Sequence, residues 1–350
     1  MNATTVAVDL AKNVFQLAIA DRTWRVVQTA RLSRAQFSRW FDNRQVGTVI
    51  MEACGSAHHW ARMLQERGVE VKLLPARYVR AYVKRNKTDA ADAAALLEAA
   101  RCADIAPVKV KSVEQQCLQG LHRIRSAWMG TRTARINALR GMCREFGVAI
   151  PVGAEAGLRQ INALVSDGQL PEVLRRALQG LLQEVRELEQ RIGGIEQQLL
   201  ALAEHSAPCQ RLLSVPGIGL LSATAMVAAT GGSVSHFKSA RHFAAWFGLT
   251  PKEHSSGGSR HLGRISKRGD RYLRMLLTHG ARSVLNAARL AQRKSRALDP
   301  LRTWALSIAQ RSHHNKATCA LANKLARICF AVLRGLEPYA PARLAQLNVA

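Results

Sequence analysis

From Leu174 the chain places Leu178, Leu181, Val185, Leu188, Ile192, Ile195, Leu199 and Leu202 at alternating spacings of four and three. Only a helix brings side chains at that period onto one stripe, and a stripe kept over about four heptads is a coiled-coil seam. Gly193-Gly194 interrupts the polar face and should soften the rod locally, and Pro208 closes it. Such a rod divides the 350-residue chain, which is already longer than one compact domain usually holds. The expected organisation is residues 1–110, 111–205 and 206–350. A basic helix over 113–146, carrying Arg123, Arg125, Arg132, Arg135, Arg140 and Arg144, shares the middle segment with the rod.

Ahead of the rod, residues 5–20 read as two short strands around the polar turn Asp9–Asn13. Residues 47–52 read as a buried strand ending on a carboxylate, and Val69–Leu74 as another, with a helix from Ala57 to Glu66 between them. Thr88 is a plausible N-cap for an Ala-rich helix over 89–101. Alternating strands and helices predict an α/β domain. The abundance of Ala, Leu and Arg after it predicts helix, so the fold class is α/β plus α.

Lys and Arg total 51 against 24 acidic residues, a net charge of +27. That excess points to a polyanionic partner. Hydrophobic residues at 48% exclude wholesale disorder. No apolar run reaches the length of a membrane span, and the N-terminus does not read as a signal peptide. Seven scattered cysteines without a Cys-x-x-Cys pair argue against a disulfide framework or a zinc site, and fit a reducing cytoplasm. Five of the six tryptophans, Trp40, Trp60, Trp128, Trp246 and Trp304, sit among apolar residues and read as core.

Two sets of residues bear on chemistry. Asp9 and Glu52 each end an apolar strand, and Asp89 and Asp92 sit three apart on one helix face. Taken singly each is an ordinary surface or helix-end charge. Taken together they are the hard oxygen ligands that a magnesium-dependent phosphate site needs. The second set follows the rod. Pro216-Gly217-Ile218-Gly219 between apolar helices has the form of a helix-hairpin-helix, whose backbone N–H groups could hold a DNA phosphate; the same residues suit a tight turn between core helices. Ser255-Ser256-Gly257-Gly258 then reads as a flexible loop among Arg260, Arg264, Lys267 and Arg268. A serine nucleophile attacking phosphate needs access, a base or metal, and cations; a solvated Gly/Ser loop has the same composition. His254, just before the serines, is either a general base or an exposed loop histidine.

The stretches AVDLAK, MEACGSAHHW and KTDAADA, and then VPGIGLLSA, FAAWFGLTP, HSSGG and GRISKRGDRYLR, resemble in order those of the insertion-sequence 110/1111 group of transposases, also called bridge-RNA-guided recombinases. The resemblance spans roughly residues 5 to 330. It implies an N-terminal RuvC-like (RNase H-fold) domain, a coiled coil and a mostly helical C-terminal transposase domain. By motif it makes Asp9, Glu52, Asp89 and Asp92 an acidic tetrad for Mg²⁺, and Ser256 a nucleophile forming a phosphoserine link to DNA. Ser259-Arg260 departs from the pattern, since many relatives place Lys after the two glycines. The resemblance also implies a noncoding bridge RNA that pairs with donor and target DNA, and a homo-oligomer of dimers that pair again. The rod is expected to supply that contact between protomers, with the basic helix 113–146 as its competitor inside the chain. A RuvC-like nuclease or junction resolvase, in which water attacks and no covalent intermediate forms, is the alternative.

Overall fold

The computed structural model describes residues 5–83, 88–168 and 170–341. They form two compact units that part between Val113 and Glu114. In the first unit β1 (Thr5–Leu10), β2 (Val14–Ala20) and β3 (Val26–Ser33) make an antiparallel meander. After α1 (Arg34–Trp40), β4 (Thr48–Glu52) returns parallel to β1. Helix α2 (Ala57–Glu66) leads to β5 (Glu70–Leu74), parallel to β4. The sheet order is β3-β2-β1-β4-β5.

Strand alternation sorts the core into two layers. Val6, Val8, Phe15, Leu17, Val49 and Met51 pack on one face with Phe37 of α1 and Trp60 and Leu64 of α2. Phe15, Phe37 and Trp60 meet edge to face, with ring centroids 4.9–5.2 Å apart. The opposite face carries Ala7, Ala18, Ala20 and Ile50. After the short α3 (Ala76–Val79), α4 (Asp89–Arg101) covers that face with Ala93, Leu96, Leu97 and Ala99. Small side chains on both partners let this helix lie close to the sheet. Thr88 caps it, its hydroxyl accepting the Ala91 N–H at 3.2 Å.

Among its described residues the second unit is helical apart from one hairpin. It comprises α5 (Val113–Glu145), α6 (Ala154–Ser166), α7 (Glu172–Glu204), α8 (Ala207–Leu213), α9 (Leu220–Thr230) and α10 (Ala240–Trp246). The strands β6 (Pro251–Glu253) and β7 (Leu262–Ile265) follow, then α11 (Arg271–Arg293), α12 (Pro300–Arg311) and α13 (His314–Gly335). Helix α7 runs unbroken through Gly193-Gly194. Its seam does not await a second chain. Leu178, Leu182 and Val185 pack with Ile136, Leu139 and Cys143 of α5 and with Ile161 of α6. Farther along, Ile195 and Leu199 join Leu118 of α5 in the core of the C-terminal helices. Ion pairs Arg125–Glu196, Arg132–Glu189 and Arg135–Glu184 set α5 and α7 antiparallel. The expectation that this seam joins protomers is therefore corrected: most of its apolar residues are buried within one chain, Leu174 and Leu181 are partly buried there, and Leu202 at its end is half exposed. The expected middle segment shares a core with the segment after it.

His122 of α5 is buried between α9 and α11, 3.0 Å from the Thr224 hydroxyl and 3.1 Å from the Tyr272 hydroxyl. Trp60 is buried, and Trp40, Trp128, Trp246 and Trp304 are partly buried against the cores, as a packing role requires. Among the described residues no helix is long and apolar enough to cross a membrane.

Candidate active site

Strand register places the first carboxylates. Ala7 of β1 pairs with Ile50 of β4, and Val8 with Met51. Asp9 and Glu52 are thus the next residues on neighbouring parallel strands, at their carboxyl ends. Two residues past Ala7 and Ile50, they project on the face that α4 covers. Both are half-buried. Asp92 lies in the first turns of α4, also half-buried. Asp89 opens that helix, and its side chain lies outside the described residues. The fold therefore brings the strand-end acids side by side beneath the helix that carries the other two. It draws no three metal-binding side chains into ligation among the described residues. The set consists of carboxylate oxygens alone, the donor type that suits Mg²⁺ over Zn²⁺.

His58, six residues after Glu52, does structural work. Its Nδ1 accepts the Lys111 N–H at 3.2 Å while Arg62 Nη1 donates to the Lys111 carbonyl at 2.6 Å. Burial pushes this imidazole down to about 4, with the charges of Lys111 and Arg62 adding to the effect. The neutral ring is the form that can accept that hydrogen bond.

In the second unit the Ser-Ser-Gly-Gly segment, expected as a flexible loop, is the tip of the β6–β7 hairpin. Ser256 and Ser259 exchange both backbone hydrogen bonds, at 3.2 and 3.0 Å. Gly257 and Gly258 between them have φ of 55° and 80°, the paired positive values that a type I′ turn demands and glycine supplies without strain. Below the tip His254 N–H donates to the His261 carbonyl at 2.9 Å. At the base, Ser266 N–H donates to Thr250 and Lys267 N–H to Gly248. Arg274 of α11 donates to the Phe247 carbonyl at 2.8 Å, tying the hairpin to the helical core.

This register separates the two serines. Ser255 donates its hydroxyl to Glu253 at 2.8 Å and accepts the His261 N–H at 3.2 Å. Ser256 points to the other face, exposed, and among the described residues its hydroxyl has no hydrogen-bond partner. His254, Ser259 and His261 share that face by alternation, and Ser259 and His261 are linked side chain to side chain at 3.1 Å. Sequence alone gives no reason to link Ser259 with His261; the register does.

Arg260, Arg264, Lys267 and Arg268 are all exposed around the hairpin. The three acids between Lys252 and Lys316 are engaged elsewhere. Glu253 holds Ser255 and stands 3.6 Å from Arg260. Asp270 and Asp299 cap α11 and α12. Arg264, Lys267 and Arg268 have no acidic partner among the described residues. The hairpin is thus flanked towards its base by exposed cations and is open to a polyanion. Ahead of it, the turn from Val215 to Gly219 joins α8 to α9, with Gly217 packed on α11 and Gly219 exposed at the start of α9.

Comparison with known proteins gives a consistent result. A family profile described as "Transposase IS116/IS110/IS902 family" matches residues 209–296, the span that holds the turn and the serine hairpin. A second profile, of DEDD type and described as "Transposase", matches residues 6–147. A Pseudomonas aeruginosa protein named "Probable family 20 transposase" is 43% identical over 97% of this chain and 100% of its own length. The transposase for insertion sequence element IS1111A of Coxiella burnetii is 39% identical over 95% of this chain and 90% of its own. The transposase for insertion sequence element IS1328 of Yersinia enterocolitica is 35% identical over 95% and 97%.

Proposed function

The chain belongs to the IS116/IS110/IS902 family of insertion-sequence transposases, and from that premise we propose that it cuts and rejoins DNA through Ser256. One observation carries this reading. Of the two adjacent serines, Ser256 alone presents an unengaged hydroxyl, on the open face of a hairpin whose Arg264, Lys267 and Arg268 have no acidic partner among the described residues. In the proposed step Ser256 Oγ attacks the phosphorus of a phosphodiester and loses its proton, while the bond from phosphorus to the departing deoxyribose oxygen breaks and that oxygen takes up a proton. Attack on the phosphoserine by the hydroxyl of another strand reverses these changes and frees the serine. Bond energy is thereby kept for strand exchange. Arg260, next to the tip, would stabilise the charge that builds on the phosphate, while Arg264, Lys267 and Arg268 towards the hairpin base would hold the neighbouring backbone.

The strand order β3-β2-β1-β4-β5, with β1 and β4 parallel and the meander antiparallel, supports a RuvC-like (RNase H) reading of the first unit. Asp9, Glu52, Asp89 and Asp92 would hold divalent magnesium. The ion when bound acts as a Lewis acid on the phosphate oxygens. The antiparallel pair α5/α7 supports a coiled coil within the chain, and the α8–turn–α9 segment a helix-hairpin-helix. The charge of +27 suits a protein that holds RNA as well as DNA. In this reading a bridge RNA selects donor and target, leaving the protein to read backbone and shape. Protomers would pair so that the serine unit of one meets the carboxylate unit of another.

The test is strand cleavage by variants. Ser256→Ala should lose cleavage and exchange while binding DNA normally, and Asp9→Asn, Glu52→Gln and Asp92→Asn should each lose the Mg²⁺-dependent reaction. Recombination by Ser256→Ala with Ser255→Ala inactive would move the nucleophile back by one residue. Full activity in EDTA would reject the metal reading.

A further inference from the structure

The aromatic side chains of the first unit lie mostly inside. Phe15, Phe37, Phe41 and Trp60 are buried, and Trp24 and Trp40 are partly buried against the two layers of the sheet. Tyr78 and Tyr82 are the exceptions among the described residues, with 43% and 38% of their surface exposed. Both belong to the short segment that leaves β5, made of α3 and the 3-10 turn Arg80–Tyr82. Leu74 ends β5 opposite Glu52 of β4, so this segment starts on the rim of the sheet that carries Asp9 and Glu52. One strand spacing and one turn of helix place Tyr78 on the order of 10 Å from Glu52, a few nucleotides along a DNA strand.

The segment is pinned from below. The Pro75 carbonyl accepts the Tyr78 N–H at 2.9 Å. Val79 is buried with Leu74 in the layer under α4, and Val83 packs against the same layer. The other residues from Ala76 to Tyr82 are all exposed. Arg77 orders the first ring: its Cζ stands 4.5 Å from the Tyr78 centroid, and its Nη2 donates to the Tyr78 hydroxyl at 2.8 Å. Arg77 and Arg80 have no acidic partner among the described residues, since Glu70 of β5 and Glu98 of α4 pair with Lys72 and Arg101. Tyr82 is placed differently. Its phenol hydrogen-bonds the Cys102 thiol where α4 ends, at the opposite end of that helix from Asp89 and Asp92.

We propose that Tyr78 is a positioning residue for strand cleavage, stacking on an unpaired base of the DNA strand whose phosphate lies at Asp9 and Glu52, with Arg77 and Arg80 on the adjoining phosphates. An exposed ring on a fixed backbone takes the face of a base, and the cations beside it take the phosphates. Stacking holds the strand without reading its sequence, because every base offers a π-face. The inference rests on the reading of Asp9 and Glu52 as a phosphate site and asks nothing of Ser256.

Binding to the full chain is measured in EDTA, so the outcome depends neither on metal nor on cleavage. The probes are a short oligothymidine, a DNA strand of the same length in which every base is replaced by an abasic site, and oligouridine. Tyr78→Ala should weaken binding of oligothymidine about tenfold and leave the abasic strand unaffected. Tyr78→Phe keeps the ring and should bind as the unaltered chain does, and Tyr82→Leu should change neither probe. Arg77→Ala and Arg80→Ala should weaken both DNA strands alike, each lowering the slope of log affinity against log salt by about 0.7. Unchanged affinity of Tyr78→Ala for oligothymidine overturns the proposal, as does an equal loss on the abasic strand, which would mark a structural role. A loss confined to oligouridine overturns the assignment to DNA. Should Tyr78→Ala melt early, Tyr78→Leu, which keeps apolar bulk without a flat face, decides in its place. Full cleavage by Asp9→Asn and Glu52→Gln would remove the carboxylate reading and leave the stacking result standing, so the two failures are told apart.

Discussion

At the scale of single residues, environment decides between groups of the same chemical type. Ser255 is tied to Glu253 and to the His261 backbone, whereas Ser256 one position on is not. Ser255→Ala should loosen the hairpin and slow the reaction without stopping it. The buried histidines give a prediction of a different kind. His58 and His122 are both held down to about 4 by burial, from 6.5. The unfolded chain takes up these protons more readily than the folded one. Each histidine's contribution is therefore complete above about pH 6.5 and is lost as pH falls towards 4. The stake is about 3 kcal/mol per group. Melting temperatures measured across that window should fall, and His122→Gln should flatten the decline; an unchanged slope in that variant would reject His122 as a source. Sequence could not show this burial. His122 sits among arginines on a basic helix, and its neighbours Thr224 and Tyr272 come from helices about a hundred or more residues later.

At the scale of elements, α2, α4 and α5 and the strands β1, β2, β4 and β5 are legible because their apolar periods and caps are local. Strand β3 and helices α1 and α6 escape a reading of pattern. Strand β3 lies at the sheet edge with both faces largely open, and Val26 and Val27 remain about half exposed, so no alternation marks it. The Gly-Gly pair was legible as a turn in principle, since it suits a two-residue hairpin, but the polar, exposed flanks read as loop. The register that parts Ser256 from Ser255 appears only once the hairpin is seen. Nothing lies within 4 Å of where a side chain on Gly257 or Gly258 would go. Replacing both with Val should thus act through backbone strain alone, of order 1–3 kcal/mol per residue. Cleavage should fall sharply while the helical core keeps its melting temperature. A variant that folds and cleaves normally would show that the tip geometry is immaterial.

At the scale of the whole molecule, two features legible in the sequence lead to different outcomes. Part of the charge excess lies on the serine hairpin as the exposed Arg260, Arg264, Lys267 and Arg268, and the neighbouring acids are occupied. The heptad seam is real, but its partner could not be read from spacing, which is the same for a helix of the same chain and for a helix of another. The three Arg–Glu pairs and the shared core settle it inside the chain. Leu188→Asp with Ile195→Asp should accordingly unfold or destabilise the second unit, each buried aliphatic being worth about 1.5–3 kcal/mol. A variant pair that stays fully folded and merely drops in mass by light scattering would return the seam to an intermolecular role. The central claim is the covalent link at Ser256, and the most direct measurement is the species left when a reaction on labelled DNA in Mg²⁺ is stopped with denaturant. The account predicts labelled DNA attached to protein, with the nucleotide mass found on the peptide containing Ser256 and absent from Ser256→Ala. Cut DNA with free ends and no attached protein would contradict it and leave water as the attacking group.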